Sequence, residues 1–296
     1  MEVVLELLSL IKRIGVLPTV LQAIFAKLIP KHKGEAVELN FRAIGLLPSL
    51  YRQWARVRRE EARKWERLNR SPVLGHQSGR SIMEIVFLQS LRYEAGACQE
   101  KPCHTGCFLW DLRNFYEYID RDKLWERARE RKFNAAIVAV ALNQYGSRRF
   151  IGLEDLALDC GFPERGIAAG CGWATTYVQI YALGPLRRWK ATNESVPLSM
   201  FIDDLEASSQ ESSGSKVVER LTAAGATLKV AIREDLECEV ALHKSVLIAS
   251  TDSLLRRLQR AFGQHAGTAA LTASNLGVDY FAGRRRSGSR TLSAIR

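Results

Sequence analysis

Hydrophobic and polar positions along the chain alternate between helical and strand-like spacings. Apolar residues three and four apart predict an amphipathic helix over residues 2–12. A second helix is predicted over residues 18–28, because Pro18 is favoured in a first helical turn. Gly225 is expected to close one of the later helices. Further helices are predicted over residues 48–70, 81–95, 121–132, 172–190, 213–224 and 253–262.

Short apolar runs predict strands between these helices. Residues 107–112 (CFLWDL) and 196–202 (VPLSMFI) are apolar runs that meet acidic residues at their ends. Two more strands are predicted over residues 226–232 and 239–249. Because helices and strands are mixed without strict alternation, the predicted fold class is α+β and not a doubly wound parallel sheet.

Composition and charge narrow the class of partner. The chain has 296 residues, 47% of them hydrophobic, and a net charge of +11. The hydrophobic content excludes wholesale disorder, and the excess of base favours a polyanion, with nucleic acid first. Residues 52–70 carry eight Arg or Lys and three Glu. This segment is either a solvated amphipathic helix or a nucleic-acid contact, and the sequence leaves both open.

Cysteine usage points to a reducing compartment. Six cysteines are spread along the chain, which is too scattered for a secreted disulfide scaffold. Residues 98–107 hold three of them and His104, but the C-x4-C-H-x2-C spacing lacks the paired C-x2-C arms of a zinc site.

The N-terminal apolar segment resembles neither a signal peptide nor a membrane span. Glu2 and Glu6 lie where a signal peptide carries positive charge, and Lys12, Arg13 and Pro18 interrupt the apolar run. We therefore expect an intracellular protein, the nucleus included as a location, that acts without a membrane.

Three acidic residues follow apolar runs and are the main candidates for chemistry. Asp111 ends the first run, and Asp203 and Asp204 end the second. Buried strand ends tolerate carboxylates poorly unless a cation or hydrogen bonds neutralise them, and Mg²⁺ prefers oxygen ligands. The alternative is that Asp203 and Asp204 form an ordinary hairpin turn, where Asp is common.

Short motifs around these acids occur in a fixed order. They are IPK (29–31), NFRAIGLLP (40–48), GHQSGRS (75–81), DLRNFYEYID (111–120), RGIAAGC (165–171), FIDD (201–204), LHKS (242–245) and LGVD (276–279). Their order over about residues 10–285 resembles that of reverse transcriptases of the non-LTR retroelement and group II intron type. Single motifs of this kind are weak signals, but the ordered set is a strong one.

The resemblance implies a right-hand polymerase. Fingers would occupy residues 1–95, the palm with part of the fingers residues 96–285, and a basic tail residues 286–296. The palm would be an antiparallel sheet packed on helices, and the few residues after the last motif leave no room for a thumb. The implied activity is two-metal transfer of dNMP from dNTP to the 3′-OH of a DNA primer on an RNA template, with two Mg²⁺ ions, or Mn²⁺ in their place.

The resemblance also assigns roles at the metal site. Asp111 and Asp203 would bind both metal ions, with the Leu112 carbonyl as a further ligand, and Asp204 would lie beside them. Lys244 would either protonate the leaving pyrophosphate or contact phosphate.

Nucleotide and nucleic-acid contacts are implied in the same way. Lys31 and Arg42 would hold the triphosphate, Tyr116 would exclude a ribose 2′-OH, and Gly170 with Gly166 would let backbone approach the template–nucleotide pair. The nucleic acid would meet Arg52, Arg56, Arg59 and Arg80 together with Leu276 and Gly277 of a primer-grip hairpin.

Departures from the family pattern keep a second function open. Ala168 and Ala169 replace the family's Pro-Gln, and Phe201 replaces its Tyr. The alternative is a non-catalytic remnant or a maturase-like RNA-binding protein, which the same basic charge would serve. An RNA-directed RNA polymerase is the weaker rival, because it would have a smaller residue in place of Tyr116.

Overall fold

The computed structural model describes residues 2–30, 41–77, 79–98, 103–153, 156–276 and 278–282. The chain divides into two compact units, each assembled from separate segments. Unit 1 is Met1–Asn69 with Asn114–Tyr181, and unit 2 is Arg70–Arg113 with Ala182–Arg296. The fingers–palm boundary expected near residue 95 does not coincide with these divisions and stays a prediction.

The elements are numbered in chain order. The helices are α1 (Glu2–Ile14), α2 (Ser49–Val57), α3 (Arg59–Leu68), α4 (Ile82–Ala97), α5 (Phe115–Tyr118), α6 (Arg121–Glu130), α7 (Ala135–Tyr145), α8 (Ala174–Thr192), α9 (Gly214–Val230) and α10 (Asp252–Phe262). The strands are β1 (Ala23–Pro30), β2 (Phe41–Leu46), β3 (His104–Asp111), β4 (Arg148–Leu153), β5 (Leu156–Asp159), β6 (Leu198–Phe201), β7 (Asp204–Glu211), β8 (Val246–Ala249), β9 (Thr268–Ala270), β10 (Thr272–Asn275) and β11 (Val278–Phe281).

The mixed content confirms the predicted α+β class, and several predicted elements are present. Helices α1, α4, α6, α8 and α10 and strands β3 and β6 lie where the sequence pattern placed them, within a few residues at their ends. Among the described residues, no helix is long and apolar enough to cross a membrane. The tail after residue 282 lies outside the described residues.

Unit 1 contains a four-stranded sheet in the order β2-β1-β4-β5. The helix predicted over residues 18–28 is wrong, because Thr19–Leu21 form one 3₁₀ turn and β1 follows. Strand β1 pairs antiparallel with β2 and parallel with β4, so its backbone groups bond on both edges. Those partners are remote in sequence and override the local helical spacing.

The predicted long helix over residues 48–70 is two helices. Pro48 precedes the first turn as expected, but Arg58, at φ −89° and ψ 0°, separates α2 from α3. Tyr51, Trp54 and Trp65 on these helices are buried, and the rings of Trp54 and Trp173 stack 6.2 Å apart. These aromatic rings therefore belong to the core of unit 1 and not to a base-stacking surface.

Unit 2 contains a five-stranded sheet in the order β6-β7-β3-β8-β9. Its first four strands pair antiparallel, and β9 pairs parallel with β8. Helices α9 and α10 pack on the sheet, where Phe108 and Trp110 stack 4.2 Å apart and Phe262 meets both. Helix α4 and the β10–β11 hairpin join a second cluster around Cys107, Leu109 and Tyr280.

Two predictions in unit 2 are wrong, and a third is correct only in part. Helix α9 runs through Gly225 and continues as a π-helical turn over Ala231–Asp235, so residues 226–232 are not a strand. Gly225 is needed for packing instead, because a Cβ there would lie 2.7 Å from Cε1 of Phe262. Only β8 forms within residues 239–249, although Val240 makes an isolated bridge to Leu112.

A buried carboxylate links three elements of unit 2. Glu206 of β7 is 2% exposed and accepts hydrogen bonds from the Tyr93 hydroxyl and, at 3.3 Å, from the Gln89 amide. Nη1 of Arg92 lies 3.7 Å from Oε2 of Glu206, which also accepts from Gln89, and the Tyr280 hydroxyl donates to Oε1 of Gln89 at 2.6 Å. Because a buried charge needs partners, this network ties the β10–β11 hairpin to α4 and β7.

Removing one hydroxyl from this network should lower the stability of the protein. Tyr280→Phe leaves the Gln89 carbonyl without its donor, and we expect a loss of about 1–3 kcal/mol in the free energy of unfolding. Urea titration followed by circular dichroism measures it. Tyr118→Phe, which removes a hydroxyl outside the network, is the control and should change stability little. An equal, small effect of both substitutions would contradict the assigned role of the network.

Candidate active site

Strand register brings the predicted acids together in unit 2. Asp111 is the cross-strand partner of Asp204 in the β3–β7 pair, so both side chains leave the same face of the sheet. Phe201 is the partner of Asp204 in the β6–β7 pair, which leaves Ile202 and Asp203 in a tight turn. The segment is therefore a hairpin turn, as the alternative interpretation held, and it also delivers acids beside Asp111.

Backbone hydrogen bonds fix this turn and the end of β3. The Leu112 amide donates to the carbonyl of Asp203 at 2.8 Å, and the Ala241 amide donates to the carbonyl of Asp111 at 2.8 Å. The Asp111 amide donates to Oγ of Ser245 at 3.3 Å. The LHKS motif thus contributes directly to holding the acidic strand end.

The carboxylates interact strongly with one another. Burial and, after it, the negative charges of Asp203 and Asp111 together raise the pKa of Asp204 from 3.8 to about 7, against a smaller lowering by Lys244. Nζ of Lys244 lies 3.3 Å from Oδ1 of Asp111. A single, half-exposed lysine thus offsets only part of the repulsion among three acids.

These residues fit a hard divalent cation in their donor chemistry. Carboxylate oxygens are the ligands that Mg²⁺ prefers, and a cation beside Asp111, Asp203 and Asp204 would relieve the repulsion that raises the Asp204 pKa. Within the described ranges, no group of three or more His, Cys, Asp or Glu side chains is arranged to enclose a metal ion. The Leu112 carbonyl as a further ligand stays a prediction.

A cavity of about 230 Å³ opens beside the acids. The β10–β11 hairpin contributes one wall, so Leu276 lies at the same cavity as the metal-site candidates, while Gly277 lies outside the described residues. The cavity is lined by Leu109, Trp110, Asp111, Asp204, Leu205, Lys244, Val246, Ser274 and Leu276.

The predicted nucleotide contacts Tyr116, Arg42 and Gly170 belong to unit 1. The carbonyl of Tyr116 accepts a hydrogen bond from the Ile167 amide at 2.8 Å, which joins two predicted motifs. Arg42 is exposed on β2, and Lys31 lies outside the described residues. Their contacts with a nucleotide stay predictions.

Gly170 has a reason to be glycine that the sequence does not reveal. Its φ is +104°, and a Cβ there would lie 2.8 Å from the carbonyl oxygen of Gly45. Next to it, the carbonyl of Ala169 accepts a hydrogen bond from the Gly45 amide at 2.7 Å. The RGIAAGC segment therefore depends on glycine for its own packing in unit 1, independently of a template.

The predicted nucleic-acid contacts differ in their surroundings. Arg52, Arg56 and Arg59 are exposed, and over the described part of the chain none of them has an ion pair with an acid. Arg80, in contrast, pairs with Glu84 at 3.5 Å. The first three charges are therefore available to phosphate, whereas Arg80 has a competing partner.

His76 is a residue that sequence reasoning missed. It is 9% exposed, its Nδ1 lies 3.0 Å from the Ile202 amide nitrogen, and its ring meets Phe201 edge to face. Burial lowers its pKa to about 4. Its place in the GHQSGRS motif was the available signal, but the motif alone gave it no contact.

The raised pKa of Asp204 predicts a specific dependence of stability on pH. The folded chain binds a proton at Asp204 more tightly than the unfolded chain does, so this group lowers stability as pH rises from its ordinary pKa of 3.8 to about 7. Asp204→Asn should therefore raise the free energy of unfolding more at pH 8 than at pH 5. Urea unfolding in EDTA at both pH values measures the difference.

Glu219→Gln serves as the matched control, because Glu219 is an exposed acid on α9. This substitution should shift stability little and equally at both pH values. A gain from Asp204→Asn that is the same at pH 5 and pH 8 would show that Asp204 is not destabilised by charge.

Comparison with known proteins identifies the family. The family model described as reverse transcriptase (RNA-dependent DNA polymerase) matches residues 29–279. Among curated protein sequences, none matches the chain significantly.

Solved structures show the same fold at low sequence identity. Apo telomerase from Candida tropicalis truncated from its C-terminal domain matches with a TM-score of 0.59 and 13% identity, covering 90% of this chain and 54% of that one. Two further matches are telomerases in complex with a TWJ fragment of telomeric RNA. The one from Candida tropicalis has a TM-score of 0.57 and 14% identity, covering 88% of this chain and 44% of that one. The one from Candida albicans has a TM-score of 0.60 and 12% identity, covering 90% of this chain and 47% of that one. The chain thus spans about half the length of these telomerases. With a family match over most of its residues, the chain belongs to the reverse transcriptase (RNA-dependent DNA polymerase) family.

Proposed function

We propose that the chain is an RNA-directed DNA polymerase that transfers dNMP from a dNTP to the 3′-OH of a DNA primer on an RNA template. One observation carries the proposal: the β3–β7 register sets Asp111 opposite Asp204, with Asp203 in the adjoining turn. The motif order further supports a retroelement enzyme of the non-LTR or group II intron type.

The acids would supply the metal site of this reaction. Asp111 and Asp203 are proposed to hold two Mg²⁺ ions, or Mn²⁺ in their place, with Asp204 beside them. When bound, such ions activate the attacking hydroxyl and stabilise the leaving pyrophosphate. The residues themselves would contribute position and electrostatics, which are the main protein contributions to phosphoryl-type transfer.

Cationic residues would bind the polyanionic partners. Nζ of Lys244 lies 3.3 Å from Oδ1 of Asp111, and we propose that Lys244 contacts a phosphate of the nucleotide or protonates the leaving pyrophosphate. Arg52, Arg56 and Arg59 offer exposed positive charge for a nucleic-acid backbone. Two of the matched telomerases were solved with telomeric RNA, which supports an RNA partner for this chain as well.

Removing the turn carboxylate should abolish catalysis and leave binding intact. Asp203→Asn is expected to lower primer extension on poly(rA)/oligo(dT) by roughly a hundredfold or more, because electrostatic stabilisation of the transition state is lost. Salt-sensitive RNA binding, measured by fluorescence anisotropy, should persist. Wild-type rates of extension by this variant would contradict the metal assignment.

Glu219→Gln is the control for this experiment, since it removes an exposed carboxylate on α9 that the metal site does not use. It should extend primers at the wild-type rate. A wild-type protein that binds RNA but incorporates no dNTP with Mg²⁺ or Mn²⁺ would favour the non-catalytic RNA-binding alternative instead.

The sugar selectivity of the enzyme tests the role proposed for Tyr116. Tyr116→Ala opens the space in which a ring would clash with a ribose 2′-OH, so the dNTP/rNTP ratio of kcat/KM should fall by roughly tenfold to a hundredfold. Single-nucleotide incorporation with matched dNTP and rNTP gives this ratio. If the ratio stays at the wild-type value, Tyr116 is a packing residue of unit 1 and not the gate.

A further inference from the structure

The turn that carries Asp203 contains an unfavourable backbone conformation. Ile202 has a φ of +60°. The left-handed region is strained for a β-branched side chain, because its Cβ crowds the neighbouring carbonyl oxygen. Such a conformation persists only when the surrounding contacts hold it in place.

A segment preceding α4 supplies those contacts. The Met200 amide donates to the Val73 carbonyl at 2.7 Å, and the Gly75 amide donates to the Met200 carbonyl at 2.8 Å, so residues 73–75 run alongside β6. Gly75 has no room for a side chain, because a Cβ would lie 2.7 Å from Cδ1 of Ile85. The pairing of residues 73–75 with β6 places the next residue, His76, beside the turn formed by Ile202 and Asp203.

His76 contacts the strained residue directly. The Ile202 amide donates to Nδ1 of His76 at 3.0 Å, and the imidazole packs edge to face against Phe201 with ring centroids 6.1 Å apart. The carbonyl of Met200 lies 3.3 Å from the same nitrogen. The amide hydrogen of Ile202 points at Nδ1, and Nδ1 accepts it in the tautomer that carries the ring proton on Nε2.

We propose that His76 is a positioning residue for the acidic turn: by accepting the Ile202 amide hydrogen it holds Ile202 in the left-handed conformation and so fixes the backbone that carries Asp203. The inference rests on the function proposed above. On the far side of the turn the Leu112 amide binds the Asp203 carbonyl. Hydrogen bonds thus hold the backbone on both sides of the Asp203 side chain.

Three substitutions of His76 distinguish the effect of a hydrogen-bond acceptor at the position of Nδ1 from the effect of side-chain volume. His76→Asn keeps an acceptor oxygen near the position of Nδ1, His76→Gln moves the acceptor towards the position of Nε2, and His76→Phe keeps a ring with no acceptor. Hydrogen exchange of the Ile202 amide in the full chain is measured by NMR, with the Leu205 amide of β7 as the internal reference.

We expect exchange at Ile202 to accelerate roughly fivefold to tenfold in the Phe and Gln variants and to stay near wild type in the Asn variant, since one hydrogen bond is lost or kept. Unchanged exchange in His76→Phe would overturn the inference. So would equal acceleration in the Asn and Phe variants when their melting temperatures are the same.

Steady-state kinetics then test whether the hydrogen bond between His76 and Ile202 affects the reaction. In primer extension, kcat should fall in the order wild type, Asn, Gln, Phe, while KM for dNTP changes less than twofold or so, because only the position of a transition-state group is altered. A loss confined to KM, or one that follows melting temperature alone, would overturn the positioning role. If the wild-type chain extends no primer, the proposed function fails, and the exchange measurement still decides the anchoring contact.

A double-mutant cycle removes the dependence on folding of any one variant. Glycine adopts a positive φ without strain, so Ile202→Gly needs less support from His76. The fold-loss in kcat caused by His76→Phe should therefore be smaller in the Ile202→Gly background than in the wild type. Equal losses in both backgrounds would show that His76 does not act by holding Ile202.

Discussion

The repulsion among three carboxylates is the constraint on which unit 2 depends. The antiparallel pairing of β3 with β7 sets Asp111 opposite Asp204. Burial and, after it, the charges of Asp203 and Asp111 raise the pKa of Asp204 to about 7, so its charged form is costly at this position. A sheet free to slip by one residue would relieve the cost by turning one acid to the other face. The apolar packing of α9 and α10 against the sheet, through Phe108 and Phe262, keeps the register in place.

The same face of the sheet carries a second, more deeply buried carboxylate, which hydrogen bonds satisfy. Glu206 lies two residues beyond Asp204 and so shares its face, but it is buried. Three residues of α4, Gln89, Arg92 and Tyr93, satisfy it, and Gln89 also accepts a hydrogen bond from Tyr280 of the hairpin. One carboxylate on this strand is thus neutralised by the fold, whereas Asp204 is left with a deficit of positive charge.

The elements of the fold and of the candidate site could be predicted from sequence where local residues determine them, and could not where contacts with remote residues do. The strands that end on acids were predictable, because apolar runs next to a charge are a local signal, and the motif order supplied the acid site. Strand β7 could not be predicted, because its DLEASSQE sequence is polar. It is a strand within the sheet only through its pairing with β3 and β6. The same holds for β1, whose helical spacing gives way to pairing with β2 and β4.

Local signals failed for a second physical reason at two glycines and in the acidic turn. Gly225 was predicted to end a helix, but it leaves room for the ring of Phe262. Gly170 likewise leaves room for the carbonyl of Gly45. At both positions glycine is required by a close contact that forms only in the folded chain. Ile202 is the converse case, because a β-branched residue is held at a positive φ that its own preferences oppose. The FIDD segment therefore identifies the acids of the candidate site. The geometry that would let them bind metal depends on a histidine remote in sequence and on the β3–β7 register.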